Sequence, residues 1–144
     1  MTQRRQALMG VLARATLPEL ESALERFAPL PPIDEPRPAE VGLAMLRGRV
    51  GGDGAPFNLG EATVTRAAVR LNAATGVSYI LGRAPERARA AAVLDALWQD
   101  EAVRFAVEEA LGPVRKRIAG AEAATREKTD ATRVNFFTLV RGED

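Results

Sequence analysis

Ala62-Thr63-Val64-Thr65-Arg66-Ala67-Ala68-Val69-Arg70-Leu71, followed by Asn72-Ala73-Ala74-Thr75-Gly76 and Val77-Ser78-Tyr79-Ile80-Leu81, is the stretch whose reading decides the fold. Val64, Arg66, Ala68 and Arg70 alternate with Thr63, Thr65, Ala67, Val69 and Leu71, the period of two that a pleated strand imposes. The short glycine-bearing link Asn72–Gly76 predicts a hairpin, and Val77 to Leu81 reads as a further strand that Gly82 ends. Upstream, Val41 to Val50 alternates as well, with Ala44, Leu46, Gly48 and Val50 on one side and Met45, Arg47 and Arg49 on the other. Consecutive strands with short links predict an antiparallel meander and argue against a parallel nucleotide-binding sheet.

Between the first two strand patterns lies Gly51-Gly52-Asp53-Gly54, framed by Arg49 and Arg66. Its glycines permit backbone conformations closed to other residues and let N–H groups approach an anion. The loop is neither a P-loop nor a dinucleotide-binding turn, because no Gly-Lys-Ser/Thr follows and it opens no helix. Two readings stay open. A phosphate nest would use Gly51, Gly52 and Gly54 with charge from Arg49 or Arg66, and Arg83 at a strand end offers a further anion contact. A long hairpin loop would use the same glycines for geometry alone.

The flanks are helical. Leu8, Val11, Leu12 and Ala15 share one helix face, and Thr16 with Glu19 forms a capping-box pattern with Pro18 just inside the next helix. Leu20, Ala23, Leu24 and Phe27 point that second helix inward. Five prolines between Pro29 and Pro38 then predict a stiff extended connector. After the sheet, Pro85 suits a first helical position, and the small residues around Ala88 to Trp98 suit close packing on a sheet. Gly112-Pro113 interrupts the next helix, and Val114 to Ala131 has too thin an apolar stripe for a core, so it is solvated or needs a partner. Thr132 to Gly142 is β-rich in composition, which predicts a strand-like tail. The expected architecture is α+β in one domain: a helical arm over 1–28, a connector over 29–40, the sheet over 41–83, helices over 85–131 and a β-like tail over 132–144.

Composition narrows the chemistry. The chain has 144 residues, no histidine and no cysteine, and a net charge of +1. Disulfides, thiolate metal sites and cysteine nucleophiles are excluded, and no overall field draws in nucleic acid or a membrane. A metal would need oxygen ligands alone. No apolar run approaches bilayer-spanning length, and the composition points to a cytoplasmic setting. Eighteen of the twenty basic residues are arginines, which suits anions or charged interfaces but equally reflects the Ala-, Gly- and Pro-rich composition. Asp53, Glu61 and Asp95 form no evident acid/base pair, and Thr63 and Thr65 have no base to activate them. No catalytic or metal-binding residues are assigned. Trp98 belongs to a core or an interface, and the apolar tail must dock somewhere. The interface candidates are Phe57, Trp98, Arg133, Phe136, Phe137, Leu139, Val140 and Arg141.

Gly51-Gly52-x-Gly54, Phe57, Gly60-Glu61-Ala62-Thr63-Val64-Thr65-Arg66, Gly82-Arg83, Leu94-Asp95-Ala96-Leu97 and Arg133-Val134-x-Phe136-Phe137-Thr138-x-Val140-Arg141-Gly142 stand in the order found in the PhnG subunit of carbon–phosphorus lyase, which the chain resembles over nearly its whole length. The resemblance implies a subunit that joins PhnI, PhnH and PhnJ in a core complex, most intimately with PhnI. With PhnI, PhnH and PhnL it would support attack of methylphosphonate on the ribose C1 of ATP, releasing adenine and forming α-D-ribose 1-methylphosphonate 5-triphosphate. It implies no cofactor bound by this chain alone, with ATP as substrate of the complex. Arg87 and Asn135 occupy positions where a histidine and an aspartate are common in the family. The residues support an interface-forming role, direct substrate binding through the arginines and glycine loop, or a homo-oligomeric adaptor.

Overall fold

The computed structural model describes residues 2–49 and 56–142, with side chains described outside 46–59 and 131–142. It divides into two compact units, residues 1–111 and 112–144. The first unit contains α1 (Gln3–Arg14), α2 (Leu17–Glu25), β1 (Ile33–Arg49), β2 (Pro56–Leu71), β3 (Ala74–Leu81), α3 (Pro85–Trp98) and α4 (Glu101–Ala110), and the second contains α5 (Gly112–Gly142). The α+β class and the antiparallel meander stand as expected, with strand order β1-β2-β3.

Local sequence explains most boundaries. Thr16 accepts from the Glu19 N–H while the Glu19 carboxylate accepts from the Thr16 N–H, so the expected capping box starts α2. Thr2 caps α1 by accepting from the Arg5 N–H, and Asp100 caps α4 by accepting from the Ala102 N–H. The turn between β2 and β3 is tighter than expected. Leu71 pairs with Ala74, leaving only Asn72 and Ala73 between the strands. Asn72 takes φ 53°, a left-handed conformation that asparagine tolerates.

Two expectations need correcting. The proline-rich connector ends at Pro32, because β1 already begins at Ile33 and runs through Pro36 and Pro38. A proline survives there because β1 is an edge strand, and the ladder shifts register on both sides of Arg37. The second correction concerns the tail: residues 132–142 are the continuation of α5. Strand propensity gains its energy from neighbouring strands, whereas a helix already propagating adds a hydrogen bond for each residue. No glycine or proline stands between Ala121 and Arg141 to stop it.

α3 is the centre of the first unit. From Ala90 to Trp98 every residue is buried, as expected of a helix packed on all sides. It lies against β2 and β3 on one side and touches α1, α2 and α4 elsewhere. The sheet face it covers carries Thr65, Ala67, Val69 and Leu71 of β2, with Ser78 and Ile80 of β3. The closest approach is at Gly76. A Cβ there would lie 1.9 Å from the Ala92 carbonyl oxygen and 2.7 Å from the Ala96 nitrogen, both helix backbone. Strand and helix could not pack at this distance with any side chain between them.

The β1–β2 hairpin outgrows this core. β3 ends at Leu81, opposite Val64, while β1 and β2 stay paired as far as Arg49 and Pro56. Beyond Thr63 the sheet is therefore a two-stranded ribbon, about 20 Å long at roughly 3.3 Å per residue. Leu43 and Met45 on it are 71% and 55% exposed.

Gly76→Ala is expected to destabilise the chain by at least about 3 kcal/mol, since backbone and not a flexible side chain blocks the new methyl group. Urea unfolding of the two proteins measures it. A loss below about 1 kcal/mol would mean that α3 and β3 do not approach this closely.

Candidate functional site

Among the described residues, the carboxylate of Asp95 in α3 is fully buried and fully engaged. Arg5 of α1 donates through Nε to Oδ1 at 3.0 Å and through Nη2 to Oδ2 at 2.8 Å. The Val77 N–H donates to Oδ2 at 2.9 Å. One carboxylate thus ties α1, α3 and β3 together with a two-pronged arginine contact and a backbone bond. Hydrogen bonding to Asp95 raises the Arg5 pKa further, against an opposing effect of burial and with added charge attraction. A raised arginine value means that the stability Arg5 contributes through its charge is present below the ordinary arginine range and is lost as pH rises through that range and beyond. Gln99 and Arg5 also donate to the Thr75 carbonyl, at 2.8 and 3.5 Å.

A second cluster shapes the exit from β3. The buried Thr65 hydroxyl donates to the Gly82 carbonyl at 2.6 Å and accepts from the Ala84 N–H at 2.9 Å. Gly82 sits at φ 93°, in the left-handed region, so the strand turns sharply into α3. This clamp is the structural work of the threonine pattern noticed in the sequence. It presents Arg83 on an exposed turn beside β2.

The other sequence-derived sites disperse. Arg66 lies on the sheet face away from the helices, 3.5 Å from the Glu40 carboxylate, and both are more than half exposed. Its register partner is Glu40, nine positions along β1 from Arg49. At roughly 3.3 Å per residue, the two arginine backbones are about 30 Å apart. Arg66 therefore cannot join Arg49 around one small anion. Gly51, Gly52 and Gly54 lie outside the described residues. Phe57 pairs by backbone with Gly48, and Arg133, Phe136, Phe137, Leu139, Val140 and Arg141 lie on the α5 helix, all with side chains outside the described set.

Trp98 is engaged within the chain. The residue is 5% exposed, its Nε1–H donates to Glu108 at 2.8 Å, and the Arg104 guanidinium covers its ring at 4.4 Å. Arg87 donates to the Ala13 and Ala15 carbonyls and satisfies the end of α1. A cleft of about 540 Å³ opens between Phe27, Pro31, Leu71, Leu97, Gln99 and Val103, with no basic residue on its walls. Among the described residues, no group of three or more acidic, histidine or cysteine side chains could hold a metal. No helix among them is long and apolar enough to cross a membrane.

A family model described as phosphonate metabolism protein PhnG matches residues 3–142. This chain belongs to the PhnG family. A PhnG protein of Rhizobium meliloti (strain 1021), named alpha-D-ribose 1-methylphosphonate 5-triphosphate synthase subunit PhnG, is 48% identical over 145 aligned positions. The match covers 100% of this chain and 92% of that relative. In the present PhnG chain the Leu94–Leu97 landmark thus contains the buried carboxylate of α3, and Gly82-Arg83 is the turn clamped by Thr65.

Sequence reasoning gave Asp95 no role, because its partner Arg5 stands 90 positions away. The available signal was a single charge inside the otherwise apolar run Ala90–Trp98. Arg5→Ala is expected to cost about 3 kcal/mol by leaving a buried carboxylate without its cation, and Asp95→Ala a similar amount. The double variant should fall short of the sum by on the order of 2 kcal/mol in urea unfolding. Additive losses would show that the two side chains act separately.

Proposed function

We propose that this chain is an interface-forming, non-catalytic subunit of an α-D-ribose 1-methylphosphonate 5-triphosphate synthase, working in the cytoplasm with PhnI as principal partner and with PhnH, PhnJ and PhnL. The assembled enzyme would join methylphosphonate to the ribose C1 of ATP with loss of adenine. ATP is a substrate of the complex in this reading, and the chain by itself binds no cofactor. The name of the R. meliloti relative supports the synthase and the subunit role.

The ribbon beyond Thr63 is the observation that carries the interface reading. A two-stranded ribbon is marginal in water unless one face is covered. Leu43 and Met45 stand on the face that the helices cover further down, yet are 71% and 55% exposed. The arm has the shape and apolarity of an element that another chain completes. The internal chemistry agrees. Asp95, Arg5, Arg87 and Arg104 are all committed to bonds within the chain, so their work is to hold the fold.

Co-expression with the partner subunits tests the reading. Leu43→Glu combined with Met45→Glu should weaken co-purification at least about tenfold. The isolated variant should keep its Tm within about 3 °C. Undiminished co-purification would remove the arm from the interface. Arg66→Ala and Arg83→Ala should leave KM and kcat of the assembled synthase within about threefold. A large rise in KM with assembly intact would instead establish substrate contact by these arginines.

A further inference from the structure

The outer edge of β3 is half sealed and half open. Antiparallel ladders alternate between pairs that exchange hydrogen bonds and pairs whose N–H and C=O groups point away from each other. The Gly82 N–H donates to the Thr63 carbonyl at 2.8 Å, which sets the phase of the β2–β3 ladder. Ile80, Ser78, Gly76 and Ala74 therefore bond to β2, and Thr75, Val77, Tyr79 and Leu81 direct their backbone groups outward. The side-chain bonds confirm this phase, since the Thr75 carbonyl and the Val77 N–H are the groups that Gln99, Arg5 and Asp95 engage.

The seal stops at Val77. Among the described residues, no hydrogen bond reaches the Val77 carbonyl, either backbone group of Tyr79 or the Leu81 N–H. The strand Ala74–Leu81 has no charged residue and no proline, the usual guards of an exposed edge. The opposite edge of the same sheet does have them, at Pro36, Arg37 and Pro38 of β1. Tyr79 and Leu81 are 58% and 72% exposed, and Leu81 pairs with Val64 on the sheet face away from the helices. An apolar strip thus crosses from β2 to β3 and ends at the unguarded edge.

We propose that the Val77–Leu81 edge receives an extended segment of a partner subunit, which adds a fourth strand to the sheet. The inference rests on the subunit role proposed above. Alternating donors and acceptors at 77, 79 and 81 recognise an extended backbone, and the apolar strip selects a segment that is uncharged with apolar side chains at alternate positions. A second copy of this chain is the weaker occupant. Self-pairing over these few residues falls far short of the roughly 1,200 Å² that stable dimers bury. A strand supplied by a partner that also holds the β1–β2 arm is part of a larger interface.

Tyr79 gives a clean probe, because its amide takes no part in the β2 ladder. Tyr79→Pro removes the outward donor, while Tyr79→Thr removes the ring and keeps the amide. In co-expression with the partner subunits, Tyr79→Pro should be recovered in complex at least about tenfold less than Tyr79→Thr. Equal recovery would overturn strand addition. Amide exchange on the wild-type chain gives a readout free of any folding defect in the variants. The Tyr79 and Leu81 amides should exchange quickly in the isolated chain and at least about tenfold more slowly in the complex. Unchanged exchange in an intact complex overturns the edge proposal and leaves the subunit reading standing. Failure of the wild type to co-purify with any partner subunit overturns the subunit reading itself. A dimeric isolated chain with these amides already protected would assign the edge to a second copy and overturn the proposal as made.

Discussion

A buried carboxylate is costly unless charge and hydrogen bonds compensate it, and Asp95 obtains both from the elements it must hold. The Arg5 fork fixes α1 against α3, and the Val77 N–H fixes β3 against the same helix. Close by, Gly76 lets the strand approach the α3 backbone so nearly that even a methyl group is excluded. Contact and charge define one register of α3 over the sheet. The Thr65 clamp at the end of β3 and the Arg87 cap on α1 complete that arrangement.

This economy of polar groups bears on function. Arginines are abundant in the chain, yet several of those described are spent inside it: Arg5 on Asp95, Arg87 on helix carbonyls, and Arg104 on Trp98 and the carbonyls beside it. Arg66 and Arg83 remain at the surface, where Arg66 has Glu40 as a neighbour. The uncommitted features are of another kind. They are apolar and backbone groups: Leu43 and Met45 on the ribbon, the strip around Tyr79 and Leu81, and the open edge of β3. These apolar and backbone groups are the features on which the proposed interface role rests.

Legibility of the fold followed the range of the forces involved. The meander, the capping box at Thr16 and the helix start at Pro85 rest on neighbours within a few residues, and all were readable. The prolines of β1 misled because the rule excluding them from strands depends on which edge faces solvent. The tail misled because composition favoured a strand while the existing α5 helix offered an easier continuation. Trp98 looked equally suited to a core and to an interface, and burial under Arg104 settled its place within the chain.

Sequence alone determined the class of the protein: an α+β chain, poor in catalytic groups, whose ordered motifs mark the PhnG family. Local periodicity and short motifs suffice for that, since each reflects interactions between near neighbours. Tertiary structure decided which residues meet. Asp95 finds Arg5 across 90 positions, while Arg49 and Arg66, which flank one loop in the sequence, are separated along the ribbon. It also decided which half of β3 is sealed, because that depends on the phase of the ladder and on side chains reaching in from two helices. Pairing phase and long-range contact are properties of the folded chain, and no window of sequence contains them.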